Sequence, residues 1–178
     1  MNVQQKLNEY YANSPFANDG GLSKDTASVY AGPYLIQIPN TDKRKELIPY
    51  HDLHHMFAGY DNSRIGEGEI GAWELATNCW KKPLAVFYNL AGMSTGLLYS
   101  RRRIYKAFMS GCSCRNLYGL ENAKLLNSEV AELESYVFCK TGKGKNWFVN
   151  FSRFLFYFIA AIVFLPINFV IGYVYSRR

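Results

Sequence analysis

The stretch PYHDLHHMFAGYDNSRIGEGEIGAWELATNCWKKP, residues 49–83, decides the fold. Pro49 stands where a helix can start, because the N–H that proline lacks is not needed in the first turn. Gly59 is typical of the end of that helix. A second helix is predicted over residues 66–80, with Pro83 opening the next. The stretch therefore predicts consecutive helices joined by short turns.

The pattern remains helical toward the carboxyl end. A third helix is predicted from residue 83 to about residue 109; its first half is almost wholly apolar, and we expect it to be a core helix lining an apolar cavity. A fourth is predicted over residues 120–138, where apolar side chains recur every three or four positions. Evidence for a strand is limited to YLIQIP, residues 34–39. The expected fold class is mostly α, a single helical domain.

The clearest boundary lies near residue 150, where a segment with lysines and glycines gives way to FLFYFIAAIVFLPINFVIGYVY, residues 154–175. This run carries no charge, and as a helix it would be about 33 Å long, close to the thickness of a hydrocarbon core. We therefore predict a metal-binding helical domain over residues 1–147 and a C-terminal transmembrane helix, a single-pass membrane anchor, over residues 148–178.

The charges that flank the anchor predict its orientation. Cytoplasmic flanks are enriched in lysine and arginine, so the side with more basic residues should stay in the cytoplasm. The amino-terminal flank has four and the carboxyl-terminal flank two, which predicts a cytoplasmic N-terminal domain. These residues are Lys140, Lys143, Lys145 and Arg153 before the run, and Arg177 and Arg178 after it.

Length, charge and cysteine usage narrow the class of protein. At 178 residues the chain fits one ordinary domain. The net charge is +6, but it is not concentrated in the way that nucleic-acid binding requires, and no nucleic-acid partner is expected. There is no CxxC pair and no secretory signal at the polar start, so we expect the cysteines to be reduced, buried thiols. They are Cys79, Cys112, Cys114 and Cys139.

All three histidines of the chain fall within five positions, at His51, His54 and His55. Side chains four apart lie on the same face of a helix, so His51 and His55 can hold one ion. Asp52 is close enough to ligate the same ion or to orient an imidazole. Glu67 follows a turn and opens the next helix, which lets the chain fold back on the ion. Two imidazoles and one or two carboxylates suit zinc, and also iron or manganese.

The motif HDLHH, followed by eleven residues and a glutamate within GYDNSRIGE, resembles the HDxxH and downstream LGE signature of the coenzyme Q biosynthesis protein four family. The likeness is strongest over residues 45–80. Trp73 falls where that family tends to place an aromatic, which favours aligning Glu67 over Glu69 as the ligand. The resemblance implies a zinc site, and its ligands would be His51, Asp52, His55 and Glu67.

The resemblance also implies a function in ubiquinone biosynthesis. Members of the family are associated with removing the ring carboxylate of a prenylated benzoate, with hydroxylating that ring position and with assembling the other biosynthetic enzymes. The implied partners are a prenylated quinone precursor or another isoprenoid lipid held in an apolar cavity, the membrane, and other ubiquinone biosynthesis proteins. Zinc has no redox chemistry, so an oxidative step would need iron or another source of reactivity, whereas zinc can act as a Lewis acid.

Other functions stay open from the residues alone. A metal-dependent hydrolase also uses His-Asp or HxxxH motifs, although a zinc peptidase would have glutamate where this chain has Asp52. A non-catalytic membrane lipid-binding scaffold would hold its metal in a closed, structural site. The run Arg101 to Arg103 fits either anionic headgroups or a prenyl phosphate, or else a solvated helix face.

Overall fold

The computed structural model describes residues 1–12, 19–139 and 146–177, and the protein is mostly α, as the sequence predicts. Of the residues that carry the orientation prediction, Lys140, Lys143, Lys145 and Arg178 lie outside the described ones. The helices are α1 (Val3–Ala12), α2 (Asp42–Lys45), α3 (Ile48–Ala58), α4 (Arg64–Ala76), α5 (Pro83–Tyr99), α6 (Arg101–Gly111), α7 (Asn122–Asn127), α8 (Val130–Val137) and α9 (Trp147–Ser176). A 3₁₀ turn covers Cys79–Lys81, and two strands, β1 (Thr26–Ala31) and β2 (Tyr34–Pro39), form an antiparallel hairpin.

Helices α3 and α4 begin and end for the reasons that the sequence predicts. Pro49 lies in the first turn of α3, and Gly59 ends it in the left-handed conformation with φ of 72°. The side chain of Ser63 accepts a hydrogen bond from the N–H of Gly66 and caps the start of α4. The turn between the two helices is short, so it returns the chain directly onto α3.

Two helices that the sequence predicts as continuous are broken. The prediction of one helix over residues 83–109 is wrong because Ser100 adopts an extended conformation, with φ of −159°, and caps the start of α6 by accepting from the N–H of Arg103. The prediction over residues 120–138 is likewise wrong, because Ser128 is extended and ends α7. A serine can satisfy free backbone groups with its hydroxyl, which favours a helix end over a helix interior.

The strand prediction was incomplete. Residues 34–39 do form a strand, but its partner β1, with the sequence TASVYA, was not predicted. Only part of β1 has the β-branched or aromatic character of a strand. Gly32, with φ of 60°, makes the tight turn between the strands, and Val29 pairs with Ile36 across the ladder.

Helices α4 and α5 approach so closely that glycines are required between them. A Cβ atom placed on Gly68 would lie 2.6 Å from the Cα of Gly96, and one on Gly71 would lie 2.7 Å from the carbonyl oxygen of Asn89. No side chain fits at such distances without moving the backbone. The contact fixes the position of α4, which carries two of the acidic residues described below.

Helix α9 is long enough and apolar enough to cross a membrane, with a mean hydropathy of 2.5 over its best window. It also lies along the rest of the domain. Three of its side chains contact residues 77 positions earlier in the chain: Tyr157 accepts from Trp80, Arg153 donates to the carbonyl of Ala76, and Asn168 donates to the carbonyl of Ala91. Within α5, Phe87 contacts Phe164 and Ala91 contacts Asn168, and both pairs are 77 positions apart. Because this separation in sequence is constant, α9 runs parallel to α5.

The four cysteines are free thiols. Cys79 and Cys112 are buried, as predicted, and burial raises the pKa of the Cys79 thiol to about 12. Cys114 is half-buried. The prediction of burial is wrong for Cys139, which is exposed just after α8.

Candidate metal centre

Three side chains predicted as metal ligands meet at the junction of α3 and α4. The Nε2 atoms of His51 and His55 lie 3.2 Å apart, and each lies 3.5 Å from an oxygen of the Glu67 carboxylate. Ligand atoms bound tetrahedrally at zinc distances are separated by about 3.3 Å. Three potential ligand atoms with such mutual distances surround a point that suits a divalent ion.

The hydrogen bond made by Nδ1 in His51 and in His55 determines which ring nitrogen faces the candidate metal position. Nδ1 of His55 lies 3.0 Å from the carbonyl oxygen of Tyr60, and Nδ1 of His51 lies 3.0 Å from a carboxylate oxygen of Glu74. Both partners are acceptors, so each Nδ1 carries the proton and donates it. Nε2 is therefore the nitrogen of each ring that faces Glu67 and the partner ring, and it is the nitrogen that a metal would bind.

His54 cannot be a metal ligand in this arrangement. Its Nε2 accepts the backbone N–H of Leu117 at 2.9 Å, and its Nδ1 donates to Glu74 at 2.8 Å. The side chain is fully buried, and this desolvation lowers its pKa, which keeps the ring neutral. Both nitrogens are therefore in use, so His54 supports the site through its hydrogen bonds to Glu74 and Leu117.

Glu74 is the functional residue that the sequence analysis missed. Its carboxylate is fully buried, and four side chains donate to it. Besides the two histidines, the amide of Asn89 and the hydroxyl of Tyr118 each lie 2.6 Å away. Glu74 follows Glu67 by seven positions, two helical turns on the same face of α4, and that spacing was the available signal. His51 is thus held between two carboxylates of one helix.

The charges at this junction call for a cation. Burial alone would raise the pKa of Glu74 and of Glu67, but the neighbouring imidazoles lower both pKa values well below the usual range. Both groups are therefore anionic at neutral pH. In the described part of the chain neither has a lysine or arginine within ion-pair distance. Burial disfavours the charged form of His51, but Glu74 and Glu67 raise its pKa well above the usual range, so the His51 ring balances part of this charge and a metal ion would take the place of its proton.

Asp52 lies beside this cluster without joining it. In the described residues the ligand atoms that meet belong to His51, His55 and Glu67. The Asp52 carboxylate instead accepts a hydrogen bond from the hydroxyl of Tyr11, 2.8 Å away. Direct ligation by Asp52 stays a prediction, and its position fits the alternative that it supports the site from outside.

The structure distinguishes Glu67 from Glu69 as the acidic residue that faces the histidine pair. Glu69 points to another face of α4, where both of its oxygens accept from the guanidinium of Arg103, one at 2.8 Å. That pair also accounts for one member of the arginine run, while Arg101 and Arg102 are exposed. Glu67 is therefore the acidic residue placed against the histidine pair.

The cluster is open on one side. The side chains of His51 and Glu67 are each 29% exposed, whereas that of His55 is 1% exposed. Three ligand atoms with an accessible side match a catalytic metal site, which keeps a position for water or substrate, better than a closed structural one.

The described hollows of the molecule lie elsewhere. One of about 740 Å³ lies between the 3₁₀ turn, the end of α6 and the start of α9, and its lining is polar and apolar in similar parts. A smaller one of about 440 Å³ adjoins it at Trp80 and Tyr157. Neither is an apolar cavity along α5, so the predicted cavity for a prenyl tail stays a prediction.

Comparison with known proteins adds no relative. No family model, no curated protein and no solved structure matches the chain. The resemblance stated above therefore rests on the short sequence motif around residues 45–80 alone.

Proposed function

We propose that the protein is a metal-dependent enzyme of ubiquinone biosynthesis that removes the ring carboxylate of a prenylated benzoate. The observation that carries the metal part is the meeting of the two imidazole Nε2 atoms, 3.2 Å apart, with the Glu67 carboxylate, which lies 3.5 Å from each. The pathway part rests on the likeness of HDLHH and GYDNSRIGE to the coenzyme Q biosynthesis protein four signature.

The residues divide into ligands and supports. His51, His55 and Glu67 would hold the ion, while Glu74 and the carbonyl of Tyr60 keep the two rings in the required tautomer. Zinc is the first expectation, and iron or manganese fit the same donor set. When bound, the ion supplies Lewis-acid stabilisation for a carboxylate or phenolate oxygen.

The open side of the site suits a substrate that approaches from outside the helix pair. Decarboxylation breaks the bond between the ring carbon and the carboxyl carbon, releases carbon dioxide and places a proton on the ring carbon. Replacement of the carboxylate by a hydroxyl is an oxidation that requires an oxidant such as molecular oxygen, together with redox chemistry that iron or another cofactor would supply and zinc would not. The identity of the metal thus separates the two outcomes of the proposed reaction.

The proposed setting is the cytoplasmic face of a membrane. Helix α9 provides the apolar surface for attachment, and the basic residues near its amino-terminal side favour the anionic cytoplasmic leaflet. We propose that the substrate's isoprenoid tail stays in contact with this membrane while its ring reaches the site, and that other ubiquinone biosynthesis proteins are partners there.

The decisive experiment combines elemental analysis with a turnover assay. The protein is purified without added metal, its metal content is measured, and the chain is incubated with a prenylated hydroxybenzoate in vesicles while the product is followed by mass spectrometry. Product formed by the wild type and by Glu134→Gln, an exposed control, but not by His55→Ala supports the proposal. One bound ion with no product from any benzoate would instead indicate a scaffold with a structural metal.

A further inference from the structure

Helix α9 has an outer face that the rest of the described chain leaves uncovered. Its most exposed apolar side chains lie within about 80° of one another on the helix circumference. They are Phe148 (76% exposed), Val163 (67%), Val170 (64%), Phe156 (60%) and Ile159 (55%). In a protein surrounded by water this face would be polar, so its apolar character points to an apolar partner along the whole helix.

The opposite face of α9 is built into the domain. Its buried positions form one stripe and are Asn150, Phe154, Tyr157, Ala161, Asn168 and Gly172. The amide nitrogen of Asn168 lies within 3.1 Å of the hydroxyls of Ser94 and Thr95. A Cβ on Gly172 would lie 2.6 Å from the carbonyl of Ala31 in the hairpin. α9 is thus held along its length: α4 and α6 contact its first turns, and α5 and the hairpin contact the rest.

This packing conflicts with a helix that crosses a bilayer. If α9 crossed together with its neighbours, α5 would enter the hydrocarbon, and with it α4, which carries the buried anions Glu67 and Glu74. If α9 crossed alone, Asn168 would lose its partners on α5 and face lipid. Uncompensated polar and charged groups are strongly unfavourable at that depth.

The length of the outer face leads to the same conclusion. From Phe148 to Val174 it extends for about 39 Å, whereas a hydrocarbon core is about 30 Å thick. A helix that lies in the membrane plane has no such limit on its length.

Basic residues near both ends of α9 match an anionic surface. Lys81, Arg115 and Arg153 line the 740 Å³ hollow beside its first turns, and the described lining of that hollow contains no acidic residue. Arg177 lies over the ring of Tyr173 at the other end, 4.6 Å from its centroid. Phosphate headgroups at both ends would complement these cations.

We propose that α9 lies in the plane of an anionic bilayer surface, with lipid on its outer face and α5 on its inner face, so that both of its ends remain on the same side of the membrane. The occupant of the outer face is a bilayer with anionic headgroups. There are two alternatives: the outer face packs against a second copy of the chain, or α9 crosses the bilayer as the sequence predicts. The following measurements distinguish both from the proposed arrangement.

Depth along the outer face distinguishes the two arrangements in lipid. The full chain, with Cys114→Ser and Cys139→Ser, receives one fluorophore at Phe156→Cys, Val163→Cys or Val170→Cys, in vesicles of phosphatidylcholine and phosphatidylglycerol. Quenchers at known depths should report the same shallow depth for all three positions. A crossing helix would place position 163 deepest, which overturns the proposal. Glu134→Cys, exposed on α8, is the control that stays in water.

Sidedness gives a second, independent readout. An impermeant maleimide applied to sealed vesicles should label native Cys139 and, in the Cys139→Ser chain, Ser176→Cys to the same extent without detergent. Protection of position 176 until detergent is added would overturn the proposal. So would a chain that self-associates in solution and does not bind the vesicles, because the outer face would then be a protein interface.

Binding should weaken about 10-fold or more when phosphatidylglycerol is omitted.

Discussion

The Nε2 atoms of His51 and His55 face each other at 3.2 Å, and each ring donates its other nitrogen to an acceptor. Two rings in this orientation direct their Nε2 atoms at the same point beside Glu67, so that a single ion placed there would contact both. The arrangement therefore describes a binding site whose geometry is set before the ion arrives.

Removing either of these rings should abolish stable metal binding. We expect His51→Ala and His55→Ala to lower affinity by more than the roughly 10–100-fold that follows loss of a supporting residue, because a direct ligand is lost. Competition with a chelator measures the affinity, and elemental analysis measures the content. Glu134→Gln, which alters an exposed carboxylate on α8, should retain the ion. Unchanged metal content in the double histidine variant would exclude the site.

The two acidic residues near the start of α4 should behave differently. Glu67→Gln should release the metal, because an amide is a poorer ligand than a carboxylate. Glu69→Gln should keep the metal and lower the melting temperature, because it weakens only the pair with Arg103. Metal content and thermal unfolding are measured on both variants. The opposite pattern would identify Glu69 as the ligand.

Glu74 should affect both stability and metal affinity. An amide at this position cannot accept from all four donors that surround the carboxylate, so Glu74→Gln should lower the free energy of unfolding by about 3–5 kcal/mol. In the folded fraction, metal affinity should fall about 10–100-fold, since His51 loses the acceptor that fixes its tautomer.

Tyr118→Phe separates these two effects. It removes one hydrogen bond to Glu74 and keeps the carboxylate charge, so we expect a loss of about 1–3 kcal/mol of stability with metal affinity nearly unchanged. Denaturant unfolding and chelator competition on both variants give the comparison. Equal metal loss in the two variants would show that Glu74 acts only through general packing.

The glycine contact between α4 and α5 should be intolerant of added volume. We expect Gly68→Ala to destabilise the fold by about 1–3 kcal/mol, because its Cβ meets the Cα of Gly96. The displacement also moves Glu67, so metal affinity should fall. Gly119→Ala is the matched control, since a Cβ there would have as its nearest neighbour the end of the Lys81 side chain at 3.6 Å. Similar unfolding curves for both variants would contradict the close contact.

The sequence was sufficient to predict the features that depend on local spacing. A pair of histidines four apart, with proline before and glycine after, predicts the helix and the face that they share. The turn to α4 and the meeting of Glu67 with that pair also follow from short-range signals. These parts could be predicted because one short turn fixes their relative position.

Features that depend on distant residues could not be predicted in the same way. The function of Glu74 depends on the hydroxyl of Tyr118, and that of its neighbour His54 on the backbone N–H of Leu117; both partners lie more than one helix away in sequence. A glutamate between Trp73 and Leu75 otherwise resembles a surface residue of an amphipathic helix. The helix breaks at Ser100 and Ser128 were missed because apolar periodicity extends across them.

The constant offset between α5 and α9 also determines when the domain can be completed during synthesis. Domains generally form from the amino terminus as the chain emerges from the ribosome. Ser94 and Thr95 must wait for Asn168, more than 70 positions later, before their hydroxyls are covered. Until then one apolar face of α5 stays exposed to solvent. An exposed apolar face favours binding of the nascent chain to a chaperone or to the membrane.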